Sequence, residues 1–168
     1  MPQTAASTFR PADGGESIGT EIDWYAADEH VYVTPRSKSR FRIDKDRAIK
    51  VLQGDRETGL QIVALVERLA RWISEFEPNI DAAFLTTQDS TLLFAIVTRG
   101  VEWDEDLCDK LIDLKLEIAV DDHFNKTPLA VICIPHCPPE SYVGFLGSEF
   151  CWRFHRGPKP PRKGKVAK

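Results

Sequence analysis

The fold of this chain is decided by residues 81–135, which read DAAFLTTQDSTLLFAIVTRGVEWDEDLCDKLIDLKLEIAVDDHFNKTPLAVICIP. Residues 81–87 and 92–98 are largely apolar and are separated by Gln-Asp-Ser-Thr, whose short polar side chains favour a turn. They predict a β-hairpin. Leucine and isoleucine recur at helical spacing over residues 104–122, and a third apolar run occupies residues 129–134. Because a helix joins the second and third strands, these two are expected to run parallel, with a right-handed crossover.

Two of these strands are too apolar for a sheet with one wet face. Residues 92–97 and 129–134 are continuous apolar runs, whereas strands that are exposed on one face alternate with polar residues. Both are therefore expected to be central in the sheet or covered on both faces. Either the N-terminal arm and the first helix supply the second cover, or another chain does. The order of the three strands, 1-2-3 or 2-1-3, stays open.

A long helix is predicted to precede the hairpin. Apolar residues recur at three- and four-residue spacing over residues 59–76 and cover more than half of the helix circumference. Pro78 then stops the helix. The fold class that follows is α+β: a small mixed sheet, made of the hairpin plus a third strand after a helix crossover, packed with two main helices in the order α-β-β-α-β.

The flanks of this core leave room for extra N- and C-terminal strands. Residues 30–34 have strand composition, and residues 40–43 alternate polar with apolar, which predicts two strands around a polar loop. Residues 44–52 then predict a short helix with Asp44 at its N-cap. Residues 149–155 alternate aromatic with polar and predict a fourth strand or an aromatic arm.

The chain divides into three parts by composition. Residues 1–20 are poor in large apolar side chains and predict a disordered N-terminal tail. Residues 21–155 predict a single α+β domain. Residues 156–168 are rich in proline and lysine and predict a basic disordered tail.

The charge balance argues against a nucleic-acid-binding body. The net charge is −4, but the last 13 residues carry six basic side chains and no acidic one. The rest of the chain carries 16 basic and 26 acidic residues, and such a body repels phosphate. Contact with nucleic acid is therefore expected only through the tail.

The sequence predicts a soluble, cytoplasmic protein. No apolar run approaches the roughly 18–20 residues that a membrane span needs. The first residues lack a charged region followed by an apolar one, so no secretory signal is expected. In a reducing compartment the four cysteines are expected to be thiols or metal ligands.

One cysteine and histidine pattern has the spacing of a metal site. Cys133 and Cys137 form one pair, and Cys151 and His155 form a second pair with the same spacing. Zinc prefers four Cys or His ligands, often as two close pairs about a dozen residues apart. The alternative is that these are ordinary thiols, because Cys133 lies inside an apolar strand where a buried thiol is a common core residue.

Four aromatic residues are candidate contacts for a partner protein: Trp72, Phe150, Trp152 and Phe154. Large aromatic side chains dominate the binding energy of many protein interfaces. They are equally suited to anchor the protein's own core. A third interpretation is base stacking beside the basic tail.

No catalytic motif appears in a suitable context. A glycine-framed nucleophilic serine, a phosphate-binding glycine loop and a calcium loop are all missing from the sequence. An enzyme would have to assemble its site from dispersed residues, of which the best candidates are Asp23, Asp28, His30 and residues 121–123.

Three functions remain, in order of preference. The first is a non-enzymatic protein-interaction or assembly module that self-associates or binds a protein partner. The second is a zinc-stabilised protein that binds nucleic acid through its basic tail, and the third is an enzyme of unknown type. At the level of fold alone, the order helix, hairpin, helix and strand resembles small α+β domains such as secretion chaperones and roadblock-type modules. This resemblance implies dimerisation and protein binding.

Overall fold

The computed structural model describes residues 20–144, 146 and 150–158. The predicted N-terminal tail lies outside these residues except for Thr20, which begins the first strand. Of the predicted C-terminal tail only residues 156–158 are described, and Arg156 ends the last strand. Among the described residues, no helix is long and apolar enough to cross a membrane.

Within these described residues, six strands and three helices make up the fold. In chain order they are β1 (Thr20–Ala27), β2 (His30–Pro35), α1 (Lys38–Val51), α2 (Arg56–Glu75), β3 (Ile80–Gln88), β4 (Thr91–Thr98), α3 (Glu105–Ala119), β5 (Leu129–Ile134) and β6 (Cys151–Arg156). Short 3₁₀ turns occupy Glu77–Asn79, Asp122–Phe124 and Pro139–Ser141.

The strands form one mixed sheet in the order β2-β1-β6-β3-β4-β5. The hairpin β3–β4 is antiparallel, and β4 and β5 are parallel, as the connecting helix predicted. The predicted α+β class with a mixed sheet is therefore confirmed. Of the two strand orders that the sequence left open, the structure has the sequential one.

The two main helices begin where side chains satisfy their first free N–H groups. Asp55 caps α2: its carboxylate accepts a hydrogen bond from the Thr58 N–H at 3.2 Å, and the Thr58 hydroxyl accepts one from the Asp55 N–H. Asp104 caps α3 by accepting from the Leu107 N–H at 3.1 Å. These caps offset the cost of unpaired backbone donors and fix both helix starts.

The prediction of a strand at residues 40–43 and of a helix starting at Asp44 is wrong. One helix, α1, covers both segments, and its N-cap is Ser37, which accepts from the Arg40 N–H at 3.2 Å. Asp44 is buried inside the helix rather than at its start. Alternation over only four residues does not distinguish a strand from a helix. In α1, Phe41 and Asp44 are three residues apart and share the helical face that packs on the sheet.

Strand β1 was not predicted. Its buried residues alternate with partly exposed ones, and Ile22 and Trp24 point into the core beneath the helices. Glu21 and Asp23 occupy the other face. These two acidic residues lowered the apparent strand propensity of the segment, although the alternating pattern was present.

All three helices pack on one face of the sheet. This main core includes Ile22, Phe94 and Trp152, which are completely buried. Trp72 of α2 meets Phe94 edge-on at 5.9 Å between ring centres. The core therefore combines aromatic residues from α2, β4 and β6.

Part of the opposite sheet face is covered by the segment that follows β5. Tyr142 and Leu146 pack on Ala82, Phe84 and Val97 in a second, smaller core. The expected cover is the N-terminal arm together with the first helix, or another chain. The structure corrects that expectation: within the described residues, the cover over β3 and β4 comes from the chain itself, after β5.

Candidate functional site

Strand β5 forms one apolar edge of the sheet. Within the described residues it pairs only with β4, so it is not central, but alternate residues of β5 pack against the two cores on the two sheet faces, which agrees with the other predicted alternative, cover on both faces. Five of its six residues are only partly buried, and none is charged. Every second residue of a parallel edge strand directs its N–H and C=O away from the sheet. Such an edge is a template for another strand.

A row of apolar side chains on α3 lies beside this strand. Cys108, Ile112, Leu116 and Val120 are spaced four residues apart and so occupy one side of the helix. Their exposed fractions rise along the row from 7% to 49%, 56% and 82%. Rows of this spacing are inclined to the helix axis, so this one starts against the sheet and turns towards solvent.

Contacts on both flanks of α3 orient the row. Glu117 on one flank receives a hydrogen bond from Arg68 of α2, with 2.6 Å between Nη2 and Oε1. Cys108, at the start of the row, is hydrogen-bonded through its thiol to Cys133 of β5. The row therefore starts next to β5, on the side of α3 away from α2, and turns towards solvent at Leu116 and Val120. We call the surface formed by β5, Ile112, Leu116 and Val120 the apolar edge.

The thiols next to the apolar edge are neutral at physiological pH. Burial raises the pKa of Cys133 to about 12, and the hydrogen bond to Cys108 adds to this shift. Burial also raises the pKa of Cys108. A thiol with a raised pKa is a poor nucleophile and a poor metal ligand, because both roles need the thiolate. These cysteines therefore behave as small apolar residues.

The structure does not bring the four predicted zinc ligands together. Cys133 packs against the core under the helices, whereas Cys137 and Cys151 pack on the opposite face of the sheet. His155 lies with its Nε2 3.0 Å from Glu21 Oε1, at an angle that makes no hydrogen bond. Among residues 20–144, 146 and 150–158, no group of three or more Cys, His, Asp or Glu could hold a metal ion.

Cys151 and His155 are further removed from metal binding by burial. Burial raises the pKa of Cys151 to about 12. For His155 burial lowers the pKa, and the neighbouring Glu21 partly opposes the shift. The sequence spacing suggested a shared site. In the fold, Cys133 points to the sheet face that the helices cover, whereas Cys137 and Cys151 lie on the opposite face, because side chains along a strand alternate between the two faces.

The four predicted contact aromatics are buried in the core. Trp72, Phe150, Trp152 and Phe154 have exposed fractions of 5% or less. Trp152 stacks on Phe41 of α1 at 4.5 Å, and Phe154 meets Phe94 edge-on. They therefore offer no surface to a partner. The simpler interpretation, that they anchor the protein's own core, describes their positions.

The residues named for an enzyme site are also apart. Asp23 lies on β1, where Arg36 binds it through Nε at 3.0 Å. Asp121 caps the short turn before β5 and accepts from the His123 N–H. Three strands separate β1 from β5, which is roughly 19 Å at the usual spacing.

The half of the second sheet face over β1 and β2 has a mixed character. Tyr25 and Tyr32 stack at 5.1 Å, and Tyr32 is 47% exposed. Arg36 forms ion pairs with Glu21 and Asp23 beside them. The charges on this face are largely paired with one another, so it is a less clear interaction surface than the apolar edge.

The sequence contains a signal for the apolar edge within the helix predicted at residues 104–122. The spacing of Ile112, Leu116 and Val120 is a second apolar row on the same helix. Two rows on one helix indicate two covered sides.

Comparisons of the chain with protein-family models, with curated proteins and with solved structures found no match.

Proposed function

We propose that the chain is a non-enzymatic interaction module that self-associates through the apolar edge. The observation that supports this proposal is the apolar, uncharged strand β5, open on its outer side within the described residues, beside the exposed row on α3. Apolar residues exposed in one contiguous patch are typical of protein interfaces.

A second copy of the chain fits this surface by symmetry. Two β5 strands related by a two-fold axis would pair antiparallel and join two six-stranded sheets into one of twelve strands. The same axis would bring Ile112 and Leu116 of one α3 against those of the other. Because β5 carries no charge, pairing it with itself brings no like charges together.

One feature of the apolar edge favours a monomer whose edge strand is protected from pairing. Lys115 of α3 is exposed and lies between the core stripe and the apolar row. Lysine beside an edge strand is a common protection against unwanted pairing. Its long side chain can also extend past an interface while its charge stays in water, which is compatible with a dimer.

The cellular setting that we propose is the cytoplasm. All four cysteines are free thiols, and Cys108 and Cys133 are near enough for each thiol to influence the pKa of the other. Neighbouring free thiols are typical of a reducing compartment. The other two functions have weaker support, since neither the zinc ligands nor the enzyme residues are assembled in the described residues.

The test is the molar mass of the protein in solution. Sedimentation equilibrium is expected to give twice the chain mass of 19.0 kDa for the natural sequence. The double variant Ile112→Glu/Leu116→Glu is expected to be a monomer, because the dimer would place four carboxylates in an apolar interface.

The matched control is Leu60→Glu, since Leu60 on α2 is 63% exposed and lies outside the apolar edge. This variant should dimerise like the natural chain. A monomeric natural chain at concentrations of about 100 μM, where even weak dimers with micromolar Kd assemble, would overturn the proposal. Equal loss of the dimer in the control would overturn the assignment to this surface.

A further inference from the structure

Strands β3 and β6 stop pairing before either strand ends. Their ladder has three pairs and finishes with Phe84 opposite Arg153. β3 continues back to Ile80 along β4, with a bulge at Asp81, and β6 continues to Arg156 along β1. The two strands therefore diverge, and the backbone groups that face each other across the split lie outside any ladder.

A cavity of about 170 Å³ fills this split. Three arginines line it, Arg99 after β4 and Arg153 and Arg156 on β6, together with the carboxylates Glu77 and Asp81. The arginines outnumber the carboxylates, in a protein whose net charge is −4. The positive cavity is therefore a local arrangement and not a consequence of the overall charge.

Two of the three arginines are available to a ligand. Arg156 is engaged, because its Nη1 lies 3.3 Å from both carboxylate oxygens of Glu77. Arg153 lies over the Phe84 ring, 5.6 Å from its centre, and this contact holds the guanidinium at the wall of the cavity. Within the part of the chain that the structure describes, neither Arg153 nor Arg99 forms an ion pair.

The remaining carboxylate defines the opposite side of the cavity. Asp81 Oδ2 lies 3.7 Å from His136 Nδ1, on the segment that covers the second sheet face. It is the one lining carboxylate without an arginine partner among the described residues. An anion in the cavity would be attracted by Arg99 and Arg153 and repelled by Asp81.

We propose that the split between β3 and β6 binds an oxyanion, such as a carboxylate or phosphate group carried by a small ligand or by a partner. Guanidinium groups present paired N–H donors that match two oxygens of such a group. Backbone N–H groups next to the split lie outside the β3–β6 ladder and can add donors at its wall, as in other anion-binding concavities. The site lies in the middle of the sheet and is independent of the apolar edge.

Isothermal titration calorimetry with inorganic phosphate and, separately, with acetate tests this site. Ionic strength is held constant with chloride, because salt screens exposed charges. At least one of the two anions should bind saturably to the natural chain. Binding of phosphate alone identifies a tetrahedral ligand group, and binding of acetate alone identifies a planar one.

Three variants separate the site from general attraction to the protein. Arg99→Gln removes an exposed guanidinium and is expected to weaken binding about tenfold or more, the usual effect of a lost charged hydrogen bond. Arg153→Lys retains the charge but loses the paired donors and should also weaken binding. Asp81→Asn removes the repulsion and should strengthen it.

The control is Arg42→Gln, since Arg42 is exposed on α1 and does not line the cavity. It should bind as the natural chain does. The proposal is overturned if neither anion binds saturably, or if all four variants bind equally. Since Ile112 and Leu116 lie outside the cavity, a failed dimerisation test leaves these expectations unchanged.

Discussion

Two hydrogen-bond donors, on Thr20 and Trp152, explain why the acidic side chain of Asp44 can be buried at the centre of the fold. Asp44 is 2% exposed, and its Oδ2 accepts hydrogen bonds from the Thr20 hydroxyl at 2.6 Å and from the Trp152 indole at 3.3 Å. A buried carboxylate is tolerated only when donors compensate for its lost hydration. Asp44 therefore connects α1 to β1 and β6 from a position inside the helix and not at its start.

We expect Asp44→Ala to lower the free energy of unfolding by about 2–4 kcal/mol. The variant leaves the Thr20 hydroxyl and the Trp152 N–H buried without an acceptor, and it opens a cavity. Asp44→Asn keeps an acceptor oxygen and should lose clearly less. Urea denaturation followed by tryptophan fluorescence measures both. Equal losses in the two variants would contradict the role of the acceptor.

The secondary-structure elements show which local sequence patterns are sufficient to predict a helix or a strand. The hairpin, α2, α3 and β5 form where periodicity and capping residues agree. α1 was divided into a strand and a shorter helix because a four-residue alternation matched both periods and the Ser37 cap was overlooked. β1 was missed because its exposed positions carry acidic residues.

The start of α3 offers a direct test of capping at the scale of one element. Asp104→Ala removes the acceptor for the Leu107 N–H and should cost about 1 kcal/mol of stability. Asp104→Asn is the matched control, because asparagine caps helices about as well as aspartate. Thermal unfolding by circular dichroism compares the two. An equal loss in the two variants would show that charge, and not capping, stabilises this end.

The whole molecule depends on its last strand. β6 lies between β1 and β3, so it joins the β2–β1 pair to the β3–β4–β5 unit. It also contributes Trp152 and Phe154 to the main core. A segment at the C-terminal end of the chain thus completes both the sheet and the core.

A chain that ends at residue 149 is therefore expected not to fold. Without β6 the sheet is divided into two parts, and the loss of three large buried aromatics (Phe150, Trp152 and Phe154) removes several kcal/mol from a domain of ordinary marginal stability. A chain that ends at residue 158 is the control and should unfold cooperatively, as the full chain does. A cooperative transition in the shorter chain, measured by circular dichroism, would contradict this account.

The sequence by itself determined most of the local elements and the relative direction of the strands that they join, but not the order of those strands in the sheet. Capping residues, turn residues and apolar periodicity act over a few neighbouring positions, and a parallel pair follows from a connecting helix. They were sufficient to predict the α+β class, the β3–β4 hairpin and the parallel direction of β4 and β5, whereas the pairing of β4 with β5 came from the structure.

Only the tertiary structure decided which surfaces are covered. Whether β5 is central or at an edge depends on where β6 inserts, and that pairing joins residues far apart in the chain. Whether four cysteine and histidine residues meet depends on the sheet face that each one occupies. The apolar edge and the arginine-lined split arise from such long-range packing, which no local pattern encodes.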